Sequence, residues 1–381
     1  MPMLKSRRLE AVKNDYRCTP GARMLESASR RSPSVLDMGH LPRSASPRAL
    51  PLLDQRNRAL RDLRISVTDR CNFRCAYCMP KEDYGPGFRF LKKARILSFE
   101  EIARLARVFR DLGARKLRLT GGEPLLRAEL PKLIAQLVPL QCDLAMTTNG
   151  SLLGQHAAAL KDAGLQRVTV SVDSVDPEVF ARMNAVGFPL DAVLRGIDAA
   201  LRVGLVVKAN CVVRKGVNDH TLVETARYFK ARGCTLRFIE YMDVGLTNGW
   251  RLDEVLSASE IVQRVARELP LEGVSPSYDG EVARRYRYAD GQAELGVITS
   301  VTKPFCGSCT RARLSAEGKL YTCLFAADGV DLREPLRSGV DDVGLQQLIA
   351  RVWGARADAY SEQRHLKRPG LRRVEMSHIG G

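Results

Sequence analysis

Apolar and polar residues form a repeat of about thirty residues between Leu63 and Tyr241. Short aliphatic runs predict strands, and the longer amphipathic stretches between them predict helices. The predicted strands are 63–67, 116–120, 143–147, 167–172, 205–213 and 235–240. The predicted helices are 98–112, 129–138, 153–163, 189–203 and 219–231. Six such units predict an α/β fold, a partial (β/α)6 TIM-like barrel, with a doubly wound open sheet as the alternative.

Several of these strands alternate, although fully buried parallel strands are normally continuous apolar runs. In the first strand Leu63 and Ile65 would share one face and Arg64 the other. If the apolar faces pack against outer helices, the polar faces point into the lumen of the barrel. The lumen cations would then be Arg64, Lys116, Arg118, Lys208 and Arg237. Because unpaired charge is costly in a packed core, we expect a lumen that binds an anion, unless individual strands are edge strands with one wet face.

The charge balance of the chain also indicates an anionic partner. The 381 residues have a formal net charge of +17, which suits nucleic acid or a small polyanion. Aromatic residues make up only 6% of the chain, and no compact Lys/Arg run resembles a binding arm, so we expect no nucleic-acid partner. A nucleoside triphosphate would need only a few of these cations.

The ends and the apolar runs of the chain suggest its organisation and location. Residues 1–51 are polar and rich in Arg, which predicts a disordered basic extension, with a transit peptide as the alternative. No apolar run approaches the length of a membrane span, and there is no secretory apolar region. We therefore expect a cytoplasmic protein with no membrane partner.

The first group of cysteines is Cys71-x-x-x-Cys75-x-x-Cys78, on the loop that leaves the first strand. Three thiolates on one loop suit a [4Fe–4S] cluster, whose fourth iron would stay open to a ligand that is not protein. A structural zinc site is the alternative, but zinc takes four closed ligands and no fourth Cys or His lies nearby in the sequence.

The second group is Cys306-x-x-Cys309, with Cys323 further along. Again there are three thiolates, which predicts a second [4Fe–4S] cluster; a zinc site closed by Asp328 is the alternative. Arg311 and Arg313 lie between these cysteines on one face of an extended run. Two guanidinium groups beside an open iron would hold a phosphate-bearing substrate.

Other motifs end the predicted strands, where barrel enzymes place their chemistry. They are Thr120-Gly121-Gly122-Glu123-Pro124, Thr147-Thr148-Asn149-Gly150, Ser171-Val172-Asp173-Ser174 and Glu240-Tyr241-Met242. Glycines allow a backbone to approach a ligand closely. These motifs therefore predict a ligand site beside the first cysteine group.

The stretch Ser66–Pro80 resembles the signature loop of radical S-adenosylmethionine (SAM) enzymes, and more narrowly that of the GTP 3′,8-cyclase family. The resemblance covers roughly 52–381, and the second cysteine group separates that family from other radical SAM enzymes. It implies a radical SAM barrel over 52–245 and a cluster-binding C-terminal extension over 246–381. It also implies a lyase that converts GTP to 3′,8-cyclo-7,8-dihydro-GTP in the first step of molybdenum cofactor biosynthesis.

Site residues follow from the resemblance, motif by motif. The implied SAM contacts are Tyr77, Gly122, Ser171 and Met242. The implied GTP contacts are Arg64, Lys116, Arg118, Thr147, Lys208, Arg237, Arg311 and Arg313. The chain ends in Gly380-Gly381, similar to a double-glycine terminus that reaches into the active site in this family.

The resemblance also implies partners: a reduced flavodoxin- or ferredoxin-type electron donor, and a cyclic pyranopterin monophosphate synthase that takes the product. A homodimer is compatible with it. Two other functions are left open. One is a radical SAM enzyme that modifies peptides, and the other is a non-catalytic nucleic-acid or electron-transfer module.

Overall fold

The structure, a computed structural model, describes residues 51–364 and 373–380. The described residues belong to one compact unit, Ala49–Gly381. Nearly all of the predicted basic extension lies outside them. In the described part of the chain, no helix combines the length and the apolar character needed to cross a membrane.

Six parallel strands form the centre of the sheet. They are β1 (Asp62–Ser66), β2 (Lys116–Thr120), β3 (Asp143–Thr148), β4 (Arg167–Ser171), β5 (Val206–Val213) and β6 (Thr235–Glu240). Each strand pairs with the next one along the chain, so their order in the sheet is the order of the sequence. A doubly wound sheet would reverse its order at a switch point. The prediction of a partial barrel is therefore confirmed.

Helices cover the apolar face of these strands. They are α1 (Phe99–Asp111), α2 (Leu130–Leu137), α3 (Leu153–Asp162), α4 (Pro177–Asn184), α5 (Leu190–Arg202) and α6 (Leu222–Ala231). Leu63 and Ile65 of β1 are fully buried among them, as the alternating pattern predicts. Ser98 and Glu101 form a capping box at the start of α1. The short helix α4 was not predicted, although Asp176 caps its first turn and Pro177 begins it.

The C-terminal segment extends the same sheet at both edges. Its strands are β7 (Leu271–Val274), β8 (Ala283–Tyr288), β9 (Glu294–Ile298), β10 (Arg311–Leu314), β11 (Lys319–Tyr321) and β12 (Val330–Asp331). Its helices are α7 (Ala258–Ala266), α8 (Arg333–Arg337), α9 (Asp342–Gly354) and α10 (Met376–Ile379). The order across the twelve strands is β12-β11-β10-β1-β2-β3-β4-β5-β6-β9-β8-β7. The segments 52–245 and 246–381 thus share one sheet.

Candidate active site

One cavity runs along the lumen and is lined by all the cysteines of both groups. The first group follows β1, at the carboxyl ends of the parallel strands. Cys309 precedes β10, which is parallel to β1, so the second group lies at their amino ends. The five residues of β1 span roughly 16 Å at about 3.3 Å per residue. The cavity therefore offers one elongated space with a cysteine group at each end.

The first cysteine loop is held by its own backbone. The amides of Cys78 and Met79 both donate to the carbonyl of Cys75, at 2.9 Å. Burial raises the pKa of the Cys71 thiol to about 11, and it raises the pKa values of Cys75 and Cys78 further. Thiols in such surroundings ionise readily only when a metal takes the place of the proton.

The two glycines after β2 pack directly on this loop. The amide of Gly122 donates to the carbonyl of Thr68 at 2.9 Å, and a Cβ on Gly122 would lie 2.2 Å from the carbonyl oxygen of Arg70. A Cβ on Gly121 would lie 2.5 Å from the carbonyl oxygen of Thr68. Only glycine therefore permits this contact between the loops.

Glu123 joins the same glycine loop to β3. Its buried carboxylate accepts hydrogen bonds from the hydroxyl of Thr148 and the amide of Asn149, each at 2.7 Å. Burial raises the pKa of Glu123 to about 7. The carboxylate thus fixes the ends of β2 and β3 beside the cysteine loop.

The residues expected to contact SAM meet beside the first cysteine group. All of them line the cavity: Tyr77, Gly122, Ser171 and Met242. The hydroxyl of Tyr77 donates to Oδ2 of Asp173 at 2.7 Å, and the amide of Val212 donates to Oδ1 at 2.9 Å. Burial raises the pKa of Asp173 to about 6. Asp173 belongs to a predicted strand-end motif but was not assigned a role. The signal available in the sequence was a carboxylate at the end of a predicted strand.

An arginine row, defined as Arg313, Arg64 and Arg118, crosses three neighbouring strands. The register pairs Arg64 of β1 with Arg313 of β10 on one side and with Arg118 of β2 on the other. Adjacent strands lie only about 4.8 Å apart. Nε of Arg64 is buried without a hydrogen-bond partner, and burial, together with repulsion from Arg313 and Arg118, lowers the pKa of Arg64. Such a row is costly until an anion binds it.

The predicted GTP contacts divide into two sets. Arg64, Arg311, Arg313 and Thr147 line the cavity directly, whereas Lys116, Arg118, Lys208 and Arg237 are not among its lining residues. Arg118 reaches the wall through Thr147, to whose hydroxyl it donates at 3.1 Å. Arg237 reaches it through the side chain of Asn210, at 2.9 Å.

Burial lowers the pKa values of the cations that do not line the cavity. It lowers the pKa of Arg237 to about 10 and that of Lys116 to about 8, and it also lowers the pKa of Lys208. Neighbouring arginines add to the decrease in each case. A polyanion in the lumen would reverse this effect.

Arginines also surround the second cysteine group. Arg311 donates to Sγ of Cys309 from Nη2 at 3.0 Å and from Nε at 3.3 Å. Although burial raises the pKa of the Cys309 thiol, Arg311 and Arg356 lower it to about 6. Burial raises the pKa of Cys323 to about 12. Cys309 therefore ionises more readily than Cys323.

A buried cluster that we call the Asp54 clamp, consisting of Asp54, Arg58 and Arg356, supports this second loop. Asp54 accepts hydrogen bonds from Nε of Arg58 at 2.6 Å and from Nη1 of Arg356 at 3.2 Å. Arg58 then donates to the carbonyl of Cys306 at 2.8 Å, and Arg356 to that of Cys309 at 2.7 Å. The sequence did not indicate this clamp, because folding alone brings its members together.

The geometry gives no support to a zinc site closed by Asp328. Among residues 51–364 and 373–380, no group of His, Cys, Asp or Glu side chains is arranged to hold a single metal ion. A four-iron cube binds its three cysteines through different iron atoms, so its thiolates need not converge on one point.

The C-terminal helix α10 enters the lumen from the carboxyl end. Met376 and Ser377 line the cavity, and Ile379 is fully buried. Arg313 donates to the carbonyl oxygen of Gly380, and a Cβ on Gly380 would lie 2.2 Å from Cγ2 of Thr120. Position 380 therefore fits only a glycine, whereas Gly381 lies outside the described residues.

Comparisons with known proteins identify the family. The sequence model of the Radical SAM superfamily matches residues 65–229, and that of Molybdenum Cofactor Synthesis C matches residues 234–362. The GTP 3′,8-cyclase of Acidothermus cellulolyticus is 51% identical over 359 residues, covering 87% of this chain and 99% of that relative. The chain belongs to the GTP 3′,8-cyclase family. The cyclase of Staphylococcus carnosus is 48% identical over 336 residues, with the same coverage.

Solved structures agree on the fold. SuiB of Streptococcus suis bound to S-adenosylmethionine has a TM-score of 0.56 at 14% identity, covering 84% of this chain and 78% of that chain. SuiB bound to its precursor peptide SuiA has the same TM-score at 13% identity, covering 83% of this chain and 69% of that chain. At such identities the likeness concerns architecture alone, so it gives no support to peptide modification by this member of the cyclase family.

Proposed function

We propose that this member of the family is a radical SAM lyase that converts GTP to (8S)-3′,8-cyclo-7,8-dihydroguanosine 5′-triphosphate, the first step of molybdenum cofactor biosynthesis. The observation that supports this most is one cavity that is lined by both cysteine groups and by Arg64 and Arg313 of the arginine row. A substrate held by its phosphates in the lumen would have one cysteine group on either side.

At the carboxyl end, Cys71, Cys75 and Cys78 would hold a [4Fe–4S] cluster, and the four lining residues expected to contact SAM would orient the cofactor. When bound, the cluster and SAM supply the 5′-deoxyadenosyl radical that takes the hydrogen from ribose C3′. Glu123 and Asp173 would act by fixing the glycine loop and Tyr77 around the cofactor. The buried surroundings would exclude water.

At the amino end, Cys306, Cys309 and Cys323 would hold a second [4Fe–4S] cluster that serves the substrate. Arg64 and Arg313 of the arginine row would neutralise the triphosphate through charge-assisted hydrogen bonds, and Arg118 would hold the side chain of Thr147. Lys116, Lys208 and Arg237 would add to the positive potential of the lumen, and Thr147 would offer a hydroxyl at the cavity wall. Arg311 would bind the substrate beside Cys309, to whose sulfur its guanidinium donates a hydrogen bond.

The family resemblance also supports the partners of this reaction. We expect a reduced flavodoxin- or ferredoxin-type donor, transfer of the product to a cyclic pyranopterin monophosphate synthase, and a cytoplasmic location. A homodimer is compatible with the same resemblance.

The test is to count irons in anaerobically reconstituted protein. We expect about eight irons per chain for two four-iron clusters. The Cys306→Ala variant should keep about four, should still cleave SAM, and should lose cyclisation. Cys234→Ala, which changes a thiol in the apolar core, is the matched control and should keep about eight. Full cyclisation with zinc and no iron in the second site would contradict the proposal.

A further inference from the structure

The loop after the first cysteine group has a surface that the reaction inside the lumen does not use. We call residues 81–93 the basic loop. Two contacts attach it to the cysteine loop: Nε of Arg74 donates to the carbonyl of Tyr84 at 2.8 Å, and the amide of Leu91 donates to Oδ2 of Asp69 at 2.6 Å. The basic loop is therefore a fixed extension of the segment that carries the first three cysteines.

The outer side of the basic loop is positively charged. Its cations are Lys81, Arg89, Lys92 and Lys93, all exposed, against two exposed carboxylates, Glu82 and Asp83. Among the described residues none of these cations has an ion-pair partner, whereas the nearby Arg95 pairs with Glu317 at 2.7 Å. Arg70, on the cysteine loop itself, is exposed beside the ring of Phe90 and adds to this surface.

An aromatic cluster lies within this basic surface. The ring centroid of Phe88 is 4.5 Å from that of Tyr84 and 4.8 Å from that of Phe90, yet the Phe88 residue is 41% exposed. Tyr84 reaches inward, where its hydroxyl lies 3.4 Å from that of Ser377 at the cavity wall. An exposed aromatic residue among polar groups is typical of protein–protein contact surfaces.

We propose that the basic loop is the docking surface for an acidic one-electron carrier protein that reduces the first cluster. This deepens the proposed function and rests on it, because the carrier must come close to the cysteine loop to deliver an electron. The carrier is oxidised by one electron and the cluster is reduced by one. Electron-transfer partners make small contacts, so attraction between opposite charges would bring them together. The surplus of unpaired cations favours an acidic carrier.

The test compares two ways of reducing the same reconstituted enzyme. In the Lys92→Glu/Lys93→Glu variant, the second-order rate constant for cluster reduction by flavodoxin hydroquinone should fall about ten-fold or more at low salt. The loss should shrink as the ionic strength rises. Reduction by dithionite, a small reductant that needs no docking surface, should be unchanged, as should SAM cleavage driven by it.

The matched control makes the same change of charge elsewhere. Arg195→Glu/Arg202→Glu reverses two exposed cations on the outer helix α5 and should leave reduction by flavodoxin nearly unaffected. Equal rates for the Lys92/Lys93 variant and the unmodified enzyme would overturn the proposal, as would an equal loss in the control. If the unmodified enzyme failed to cleave SAM even with dithionite, the proposed function would be contradicted instead.

Discussion

Arg64 provides the sharpest prediction, because it should destabilise the substrate-free protein and strengthen the binding of GTP. It lies at the centre of the arginine row, lines the cavity, and has a buried Nε without a partner. The Arg64→Met change keeps a long side chain but removes the charge. In the absence of substrate, we therefore expect the variant to be more stable than the unmodified protein.

The size of both effects follows from the same geometry. Replacing a buried ion pair by apolar groups of similar volume is neutral or stabilises a protein by about 1–4 kcal/mol. For the single charge of Arg64, which borders an open cavity, we expect a value near the lower end of that range. Losing one charge-assisted contact to a phosphate costs about 1.5–3 kcal/mol. The Kd for GTP should therefore rise roughly ten-fold or more.

Thermal denaturation and calorimetric titration with GTP measure the two effects. Arg61→Met, which removes an exposed cation just before β1, is the control and should change neither quantity appreciably. The reasoning would be refuted if Arg64→Met lowered the melting temperature of the substrate-free protein and left GTP binding intact.

Three further predictions concern the two cysteine loops and the tail. Asp54→Ala leaves the buried guanidinium of Arg58 without its carboxylate and that of Arg356 with only Asp358. Iron should therefore fall from about eight to about four per chain while SAM cleavage persists, and eight irons would contradict the clamp's role. Gly122→Ala places a Cβ 2.2 Å from a backbone oxygen of the cysteine loop and should abolish SAM binding in equilibrium dialysis, whereas Gly354→Ala, in open space, should not. Deleting Gly380 and Gly381 should preserve iron content but strongly lower cyclisation, and normal turnover at equal iron would disprove this.

The sequence was sufficient for the six central strands, the cysteine groups and several lining residues, because these depend on local periodicity and spacing. Leu63, Arg64 and Ile65 alternate clearly enough to assign the two faces of β1. The pairing of β10 with β1 was not predictable in this way. A run of four residues, Arg311–Leu314, gives no sign of which strand it will join.

Long-range pairing also explains what was missed at the site. The arginine row exists only because β10, β1 and β2 are adjacent and in register. Asp54 and Arg356 are far apart in the sequence, and each is unremarkable in its own segment. Four of the predicted GTP contacts are not among the lining residues for a related reason, since alternation gives the face of a strand but not how far along the lumen each side chain lies.

Isotope transfer tests the central claim most directly, which is that one cavity brings SAM and GTP together for radical chemistry. Reconstituted enzyme would be given SAM, dithionite and GTP deuterated at ribose C3′, and the 5′-deoxyadenosine would be analysed by mass spectrometry. We predict one deuterium in the 5′-deoxyadenosine for each molecule of cyclised product. Cyclised product accompanied by 5′-deoxyadenosine without deuterium would contradict the account.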